Sequence, residues 1–114
     1  MYLDEGSMHR LLDQVAVHSG RSSLVFDYID SNALAEPDRY FGKEWMHRAR
    51  KAGEEPQWGI PAGEAEAVLA SRGLRLSSDV GADELTARYL RRADGSTVTR
   101  TIDFAAIAHA FVEG

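Results

Sequence analysis

Residues 38–52 carry the side chains best suited to chemistry, because arginines and lysines stand there beside aromatic rings. An arginine can hold a carboxylate through two parallel hydrogen bonds, and neighbouring aromatic residues would shape a pocket around the rest of an anionic molecule. Helical spacing places the basic residues on one face of this segment: Arg39, Lys43, Arg48, Arg50 and Lys51. That face is either an anion-binding site or, as is common for such a run of charge, a solvated helix surface.

Acidic residues offer a second kind of chemistry, since a pair of carboxylates can divide acid–base work. Asp27 stands in an otherwise apolar segment from Leu24 to Ile29, and a carboxylate in such surroundings needs a partner. The partner is either a structural hydrogen bond or a functional group. The glutamate pairs at 54 and 55 and at 64 and 66 instead suit a solvated loop and the exposed first turn of a helix.

Several familiar reaction types find no support in the sequence. Neither GxGxxG nor GxxxxGKS/T occurs, so no phosphate-binding loop is predicted. The chain has no cysteine and its four histidines lack metal-ligand spacing, so no metal site is predicted. The serine pairs at 22–23 and 77–78 lack the glycines of a nucleophile elbow, which argues against a serine hydrolase.

Length and composition are those of one folded domain, with 114 residues, 44% of them apolar and 27% charged. The formal net charge of −5 argues against nucleic acid or an anionic membrane as a partner, because both attract concentrated positive charge. No apolar run approaches the roughly 18 residues of a membrane-spanning helix. The first residues also lack the features of a signal peptide. A cytoplasmic protein is therefore predicted.

The hydrophobic pattern of the first half predicts a helix, a strand and a second helix. The first helix starts at acidic residues, ends near Gly20 and carries one apolar stripe: Met8, Leu11, Leu12 and Val15. The segment from Leu24 to Ile29 is apolar on both faces apart from Asp27, as in a strand buried within a sheet. The second helix, residues 38–52, has its apolar side at Phe41, Trp45, Ala49 and Ala52.

A third helix and a strand follow. Pro61 suits the first turn of the helix and Gly73 its end, with Leu69 and Leu74 placed to touch across that end. The strand then alternates up to Val80, with Leu74, Leu76 and Ser78 on one face and Arg75, Ser77 and Asp79 on the other.

The last part of the chain is less distinct. Asp83 can cap a short helix through about Arg91, with Leu85 and Tyr89 on its inner side. Asp94 and Gly95 then mark a turn. Residues 103–112 fit a helix through their alanines and a buried strand through their larger apolar side chains. The order of elements is nevertheless that of an α/β domain.

A series of short segments occurs in a fixed order along the chain: Tyr2-Leu3, Leu24 to Ile29, Asp38 to Gly42, Trp58 to Pro61, Gly73 to Gly81, Glu84-Leu85 and Arg88 to Leu90. In this order the segments resemble the leucine carboxyl methyltransferases and their actinobacterial O-methyltransferase relatives. The resemblance covers essentially the whole chain, and the ordered set is more specific than any single segment.

The resemblance implies the C-terminal half of a class I S-adenosylmethionine-dependent methyltransferase fold, whose sheet has the strand order 3-2-1-4-5-7-6. The segment from Leu24 to Ile29 would be strand five and that from Leu74 to Val80 strand six. Residues 106–112 would form strand seven, antiparallel between the other two, with helices flanking all three. The chain, residues 1–114, would be a single domain with a lid-like insertion at residues 38–60.

The family's activity implies S-adenosylmethionine as cofactor and a carboxyl or hydroxyl group as methyl acceptor. Strands one to four, which hold the cofactor in such enzymes, would precede Met1. The chain is therefore expected to be a truncated or split form without cofactor-binding residues of its own, and no catalytic residue is assigned. The alternative is a non-catalytic dimerisation or binding module derived from that fold.

On the acceptor side, the resemblance implies six substrate-binding residues: Tyr2, Tyr28, Arg39, Tyr40, Phe41 and Trp58. A carboxylate acceptor is already ionised and needs only positioning, for example by Arg39. A hydroxyl acceptor needs a base, for which His47 is the candidate. The free edge of the strand from Leu24 to Ile29 is expected to pair with a second copy or with a separately encoded N-terminal half.

Overall fold

The computed structural model describes residues 3–18 and 20–113 and shows an α/β arrangement there, with flanking helices around one sheet. A 3-10 turn, Pro37–Arg39, lies between the second and third helices. The elements in chain order are α1 (Glu5–Ala16), β1 (Ser23–Ile29), α2 (Ser31–Ala35), α3 (Lys43–Lys51), α4 (Ala65–Ala70), β2 (Leu74–Gly81), α5 (Ala82–Tyr89) and β3 (Ala105–Val112).

The sheet has the strand order β1-β3-β2, and β3 is antiparallel to both of its neighbours. The outer strands β1 and β2 therefore run parallel to each other without touching. The segment 103–112, which fitted helix and strand alike, contains the strand Ala105–Val112, and α/β alternation is confirmed. Propensity alone left this choice open because alanines at 105, 106, 108 and 110 favour a helix, whereas pairing on both edges holds them in the sheet.

The helix α1 begins where its acidic start predicts. The Asp4 carboxylate accepts a hydrogen bond of 2.7 Å from the backbone N–H of Ser7 and so caps the helix. The helix ends at Ala16, before Gly20. Met8 and Leu12 are buried, but Leu11 is 44% exposed, so its predicted place on the apolar stripe is wrong.

The predicted helix at residues 38–52 is divided. Gly42 has a φ of 97°, and a Cβ there would lie 2.7 Å from Cγ2 of Ile102. Glycine alone tolerates both the positive φ and the close approach of Ile102. The chain therefore turns at Gly42, and a new helix, α3, begins at Lys43. The predicted apolar side is consequently wrong at Phe41, which is 47% exposed, and Met46 is the residue that α3 buries.

Both later helices are shorter than predicted. The helix expected to start at Pro61 begins at Ala65 and ends at Ala70, three residues before Gly73. The left-handed conformation predicted for Gly73 is confirmed by its φ of 78°, and Leu69 and Leu74 share one buried cluster. The final helix has no side-chain cap, since Asp83 lies within its first turn. Tyr89 is 73% exposed and therefore does not lie on an inner face. The contact of this helix with the loop before β3 is made by Thr86, whose hydroxyl lies 3.4 Å from that of Thr101.

One face of the sheet is covered and forms most of the core. α1 and α4 place Met8, Leu12 and Leu69 against it. From the sheet come residues of all three strands, including Leu24, Phe26, Tyr28, Leu74, Ala108 and Ala110. A third cluster, with Ile29, Ala33, Met46 and Phe104, packs α2 and α3 against the end of β1.

The other face of the sheet is open along most of its length. Val25 is 62% exposed and Asp27 is exposed as well, so within the described residues the prediction that β1 is buried on both faces is wrong. The reason is topological: α1 and α4 both pack on the same face.

A β-bulge in β2 changes which residues face the core. The pairing register with β3 shifts between Leu76 and Ser78, so that Ser78 lies opposite His109 and Asp79 opposite Ala108. The extra residue reverses the side to which every later side chain points. Asp79 therefore lies on the covered face and Ser78 on the open one, contrary to the simple alternation predicted for this strand.

The segment around Gly59 extends the free edge of β1 by a short bridge. The N–H of Ile60 donates to the carbonyl of Ile29 at 2.9 Å, and the N–H of Ser31 donates to the carbonyl of Ile60 at 3.2 Å. Gly59 fits closely between them, since a Cβ there would lie 2.6 Å from the Ile29 carbonyl oxygen.

We therefore expect Gly59→Ala to lower the free energy of unfolding by about 1–3 kcal/mol, the usual cost of overpacking. Gly81→Ala is the matched control, because a Cβ at Gly81 meets nothing within 4 Å and its φ is −84°. Urea unfolding followed by circular dichroism would measure both variants. Equal stability of the two variants would contradict the close contact at Gly59.

Candidate functional site

The C-terminal ends of β1 and β2 lie at the same edge of the sheet because these strands are parallel. A cavity of about 200 Å³ opens there, between the strand ends and the loop before β3. Its titratable lining consists of Tyr28, Asp30, Asp79 and Asp103. Phe104 and small residues such as Gly63 and Gly81 form the rest of the wall. We call it the acidic cavity.

Tyr28 and Asp79 form the central contact of the acidic cavity. The phenol oxygen of Tyr28 lies 2.7 Å from each carboxylate oxygen of Asp79, and it donates its proton to that carboxylate. Tyr28 is 6% exposed. Burial raises the pKa of the Tyr28 phenol well above its ordinary value, and the hydrogen bond to Asp79 raises it further. Tyr28 is therefore a fixed hydrogen-bond donor rather than a base.

Asp79 was not among the residues that the sequence singled out. Leu74, Leu76 and Val80 continue an unbroken alternation, and nothing in that pattern signals a bulge. Simple alternation places Asp79 on the solvent side with Arg75. Only the register shift brings its carboxylate to Tyr28, 51 positions away in sequence.

Tyr40 reaches towards the acidic cavity from the other side. Its phenol donates a 3.4 Å hydrogen bond to Oδ2 of Asp30, while Oδ1 of Asp30 caps α2 by accepting from the N–H of Asn32 at 2.9 Å. Desolvation raises the pKa of Tyr40, and the negative charge of Asp30 adds to this effect.

A second cavity, of about 460 Å³, lies at the start of α3, and we call it the aromatic cavity. Tyr40, Phe41, Trp45 and Ile102 form its apolar wall, and Lys43, Glu44 and Arg48 supply the charges. The Arg100 guanidinium adds a further positive charge by stacking on the Phe41 ring, 4.8 Å from its centre. Within the lining itself, the positive charges of Lys43 and Arg48 accompany the negative charge of Glu44.

The basic residues of α3 divide between structural and free roles. Arg50 donates to a Glu55 carboxylate oxygen at 2.7 Å and to the Leu34 carbonyl at 2.9 Å, so it fastens α3 to its neighbours. Arg48 makes a longer contact of 3.4 Å with Glu44, with both side chains exposed. Arg48 is thus the guanidinium that an anionic molecule in the aromatic cavity could recruit.

The sequence-predicted site residues are only partly brought together. Tyr28 lines the acidic cavity, and Tyr40 and Phe41 line the aromatic cavity. Arg39 points into solvent and pairs with Glu36 at 2.9 Å. Trp58 lies in the core cluster beside Tyr28, with 6% of its surface exposed. Tyr2 lies outside the described residues.

Two further residues that the sequence left open lie away from both cavities. His47 is exposed on α3, 3.9 Å from a carboxylate oxygen of Asp38. Asp27 is exposed on the open face of the sheet.

Within residues 3–18 and 20–113, no group of three or more histidine, aspartate or glutamate side chains is arranged to hold a metal ion. None of the helices in this part of the chain is both long and apolar enough to cross a membrane. No family model, curated protein or solved structure matches the chain.

The Tyr28–Asp79 contact makes stability depend on pH in the alkaline range. The ordinary pKa of the tyrosine is 10.0, and folding raises it. The unfolded chain therefore loses this proton first as the pH rises. The stabilising contribution is complete below about pH 10 and is lost above it.

We expect Tyr28→Phe to lower the free energy of unfolding by about 1–2 kcal/mol near neutral pH, the value of one hydrogen bond to a carboxylate. The variant should also lose less stability than the parent chain between about pH 8 and about pH 11. Urea unfolding at both pH values would measure this. Tyr89→Phe is the control, since Tyr89 is 73% exposed. An alkaline loss of stability that is the same in both variants would contradict the assignment.

Proposed function

We propose that this chain is the acceptor-binding part of an S-adenosylmethionine-dependent O-methyltransferase. The observation that carries the proposal is the strand order β1-β3-β2, with β3 antiparallel between two parallel strands. This is the order that the family resemblance implies for strands five, seven and six. It supports the resemblance independently, because the three segments could have been paired in other orders.

The acidic cavity does not form a site for the methyl donor on its own. The acidic cavity, at about 200 Å³, is smaller than the roughly 300 Å³ at which sites for small molecules begin. Its lining also lacks a glycine-rich turn that could bring backbone N–H groups to a cofactor. The donor would therefore be held by strands from another polypeptide segment. These would add to the free edge of β1, the outer strand of the order β1-β3-β2.

The acceptor is best matched by a carboxylate with an apolar body. The aromatic cavity offers rings for the body, and Arg48 with Lys43 offers positive charge for the carboxylate. An ionised carboxylate is already a nucleophile, so the chain needs only to hold one oxygen in line with the methyl group. A hydroxyl acceptor needs a base, and His47 lies outside the lining of both cavities.

A small aromatic carboxylate tests the acceptor site. We expect phenylacetate to change the fluorescence of Trp45, and Arg48→Ala to weaken its binding about tenfold through loss of a charge-assisted hydrogen bond. Arg39→Ala is the matched control, because Arg39 is also exposed but is paired with Glu36 outside the cavity lining. A loss of binding in Arg39→Ala alone would instead support the sequence-based assignment of the carboxylate to Arg39.

The cofactor test requires a polypeptide that could supply the strands proposed to hold the donor. The chain should be co-expressed with the polypeptide encoded immediately upstream and titrated calorimetrically with S-adenosylhomocysteine, the demethylated product of the donor. We expect the co-purified complex to bind it with micromolar affinity and the isolated chain to bind no tighter than millimolar. Micromolar binding by the isolated chain would overturn the claim that the donor site lies elsewhere. A complex that forms but does not bind the compound would overturn the methyltransferase proposal.

The alternative is a non-catalytic module that dimerises through the edge of β1. The free edge favours it, since unpaired strand N–H and C=O groups are a template for a second chain. In that case the isolated chain would form a dimer that Arg75→Glu leaves unchanged, and no upstream polypeptide would co-purify with it.

A further inference from the structure

The open face of the sheet has an apolar centre that solvent reaches. Val25 of β1 lies beside His109 of β3 and is 62% exposed, and Ile107 is 39% exposed. Phe111 is half-buried on the same face and packs against His109, with ring centres 4.6 Å apart. An antiparallel sheet with one solvated face ordinarily presents polar side chains there. The apolar centre of this face is therefore the kind of exposed patch that marks a contact surface.

Two opposite charges flank this apolar centre at diagonal corners. Asp27 of β1 lies opposite Ile107, and Arg75 of β2 lies opposite Phe111. His109 stands midway between these two rows of β3. Both charged residues are exposed, and neither forms an ion pair or a side-chain hydrogen bond with another residue in the part of the chain described. Arg75 shares a surface depression with Glu113 without pairing to it.

We propose that the open face is the contact surface between two copies of this chain, with Asp27 of each copy paired to Arg75 of the other. The two-fold axis would lie in the plane between the two sheets and pass over His109. It places Asp27 of each copy against Arg75 of the other, so both charge pairs form at once. Such an axis requires the same patch on both copies to be self-complementary, and the diagonal placement of one acid and one base provides this.

The strand geometry makes this pairing sterically reasonable. Strand spacing and rise place the two corners about 10 Å apart across the strands and about 14 Å apart along them. With these offsets, the two-fold axis that pairs Asp27 with Arg75 makes the strands of the two copies cross at about 70°. This angle is close to the near-perpendicular class of sheet packing. The Asp27 carboxylate, which the sequence predicted to need a partner, would pair with Arg75 of the second copy.

The dimer should be weak. Three strands of about eight residues present a face of about 14 Å by 27 Å, or roughly 400 Å² on each copy. This is about half of what a partner contributes to a standard stable interface. We therefore expect reversible association in the micromolar range. The inference is independent of the proposed methyltransferase activity, since it uses the open face and neither cavity.

Charge reversal tests the proposal directly. We expect sedimentation equilibrium between about 10 µM and about 500 µM to show a monomer–dimer equilibrium for the chain. Asp27→Arg and Arg75→Glu should each weaken dimerisation about tenfold, because each creates two pairs of like charges. The double variant restores both pairs with exchanged signs and should dimerise within about threefold of the parent chain.

The apolar centre needs its own control. Val25→Lys should weaken dimerisation, whereas Val17→Lys should not, since Val17 is 78% exposed but lies at the end of α1. Circular dichroism would establish that each variant is folded. A chain that remains monomeric up to about 500 µM would overturn the proposal. So would a dimer that Arg75→Glu leaves unchanged, because Arg75 is on the strand farthest from β1 and such a dimer would be joined through the β1 edge.

Discussion

The strand β3 pairs along both of its edges, and the rest of the fold depends on this double pairing. β3 is the last strand in the sequence and the central one in space. β1 and β2 do not pair with each other, so their relative position is set only by their separate registers with β3. The contact between Tyr28 and Asp79 follows directly, because these residues lie opposite Ala106 and Ala108, two positions apart on β3. The alanines of β3 on this face are small enough for larger side chains from both neighbours to meet above them.

The sheet has one covered and one open face because of the side on which its helices pack. α1 precedes β1 and α4 precedes β2, and both cover the same face. No described helix covers Val25 and Ile107, which is why a strand with apolar residues on both sides is buried on only one. The C-terminal end of β1 is covered, unlike its middle: Ile29 is buried under α2 and α3, and the bridge to Ile60 occupies the last part of the strand edge. The free edge of β1 is thus limited to its earlier residues, where further strands would pair.

Charge is sorted locally in a chain whose formal net charge is −5. Carboxylates gather at the ends of β1 and β2, while guanidinium and ammonium groups surround the aromatic cavity. Tyr40 joins the two regions, since its ring lines the aromatic cavity and its phenol donates to Asp30. This sorting is what supports a carboxylate acceptor: an anion would be repelled from one region and held in the other.

The sequence by itself determined the α/β alternation, the approximate bounds of β1 and β2, the acidic start of α1 and the left-handed turn at Gly73 after α4. These features depend on local physics: hydrophobic period, capping oxygens and the freedom of glycine at positive φ. Tertiary structure alone decided the break at Gly42, the bulge that turns Asp79 towards Tyr28, and the exposure of Val25 and Leu11. In each of these cases the deciding atom belongs to a distant segment, such as Ile102 against Gly42 or His109 opposite Ser78. The pattern of neighbouring residues does not indicate where that distant atom lies. The sequence therefore identified Asp27 as a carboxylate that needs a partner, but it could not predict on which face of the sheet Asp27 lies.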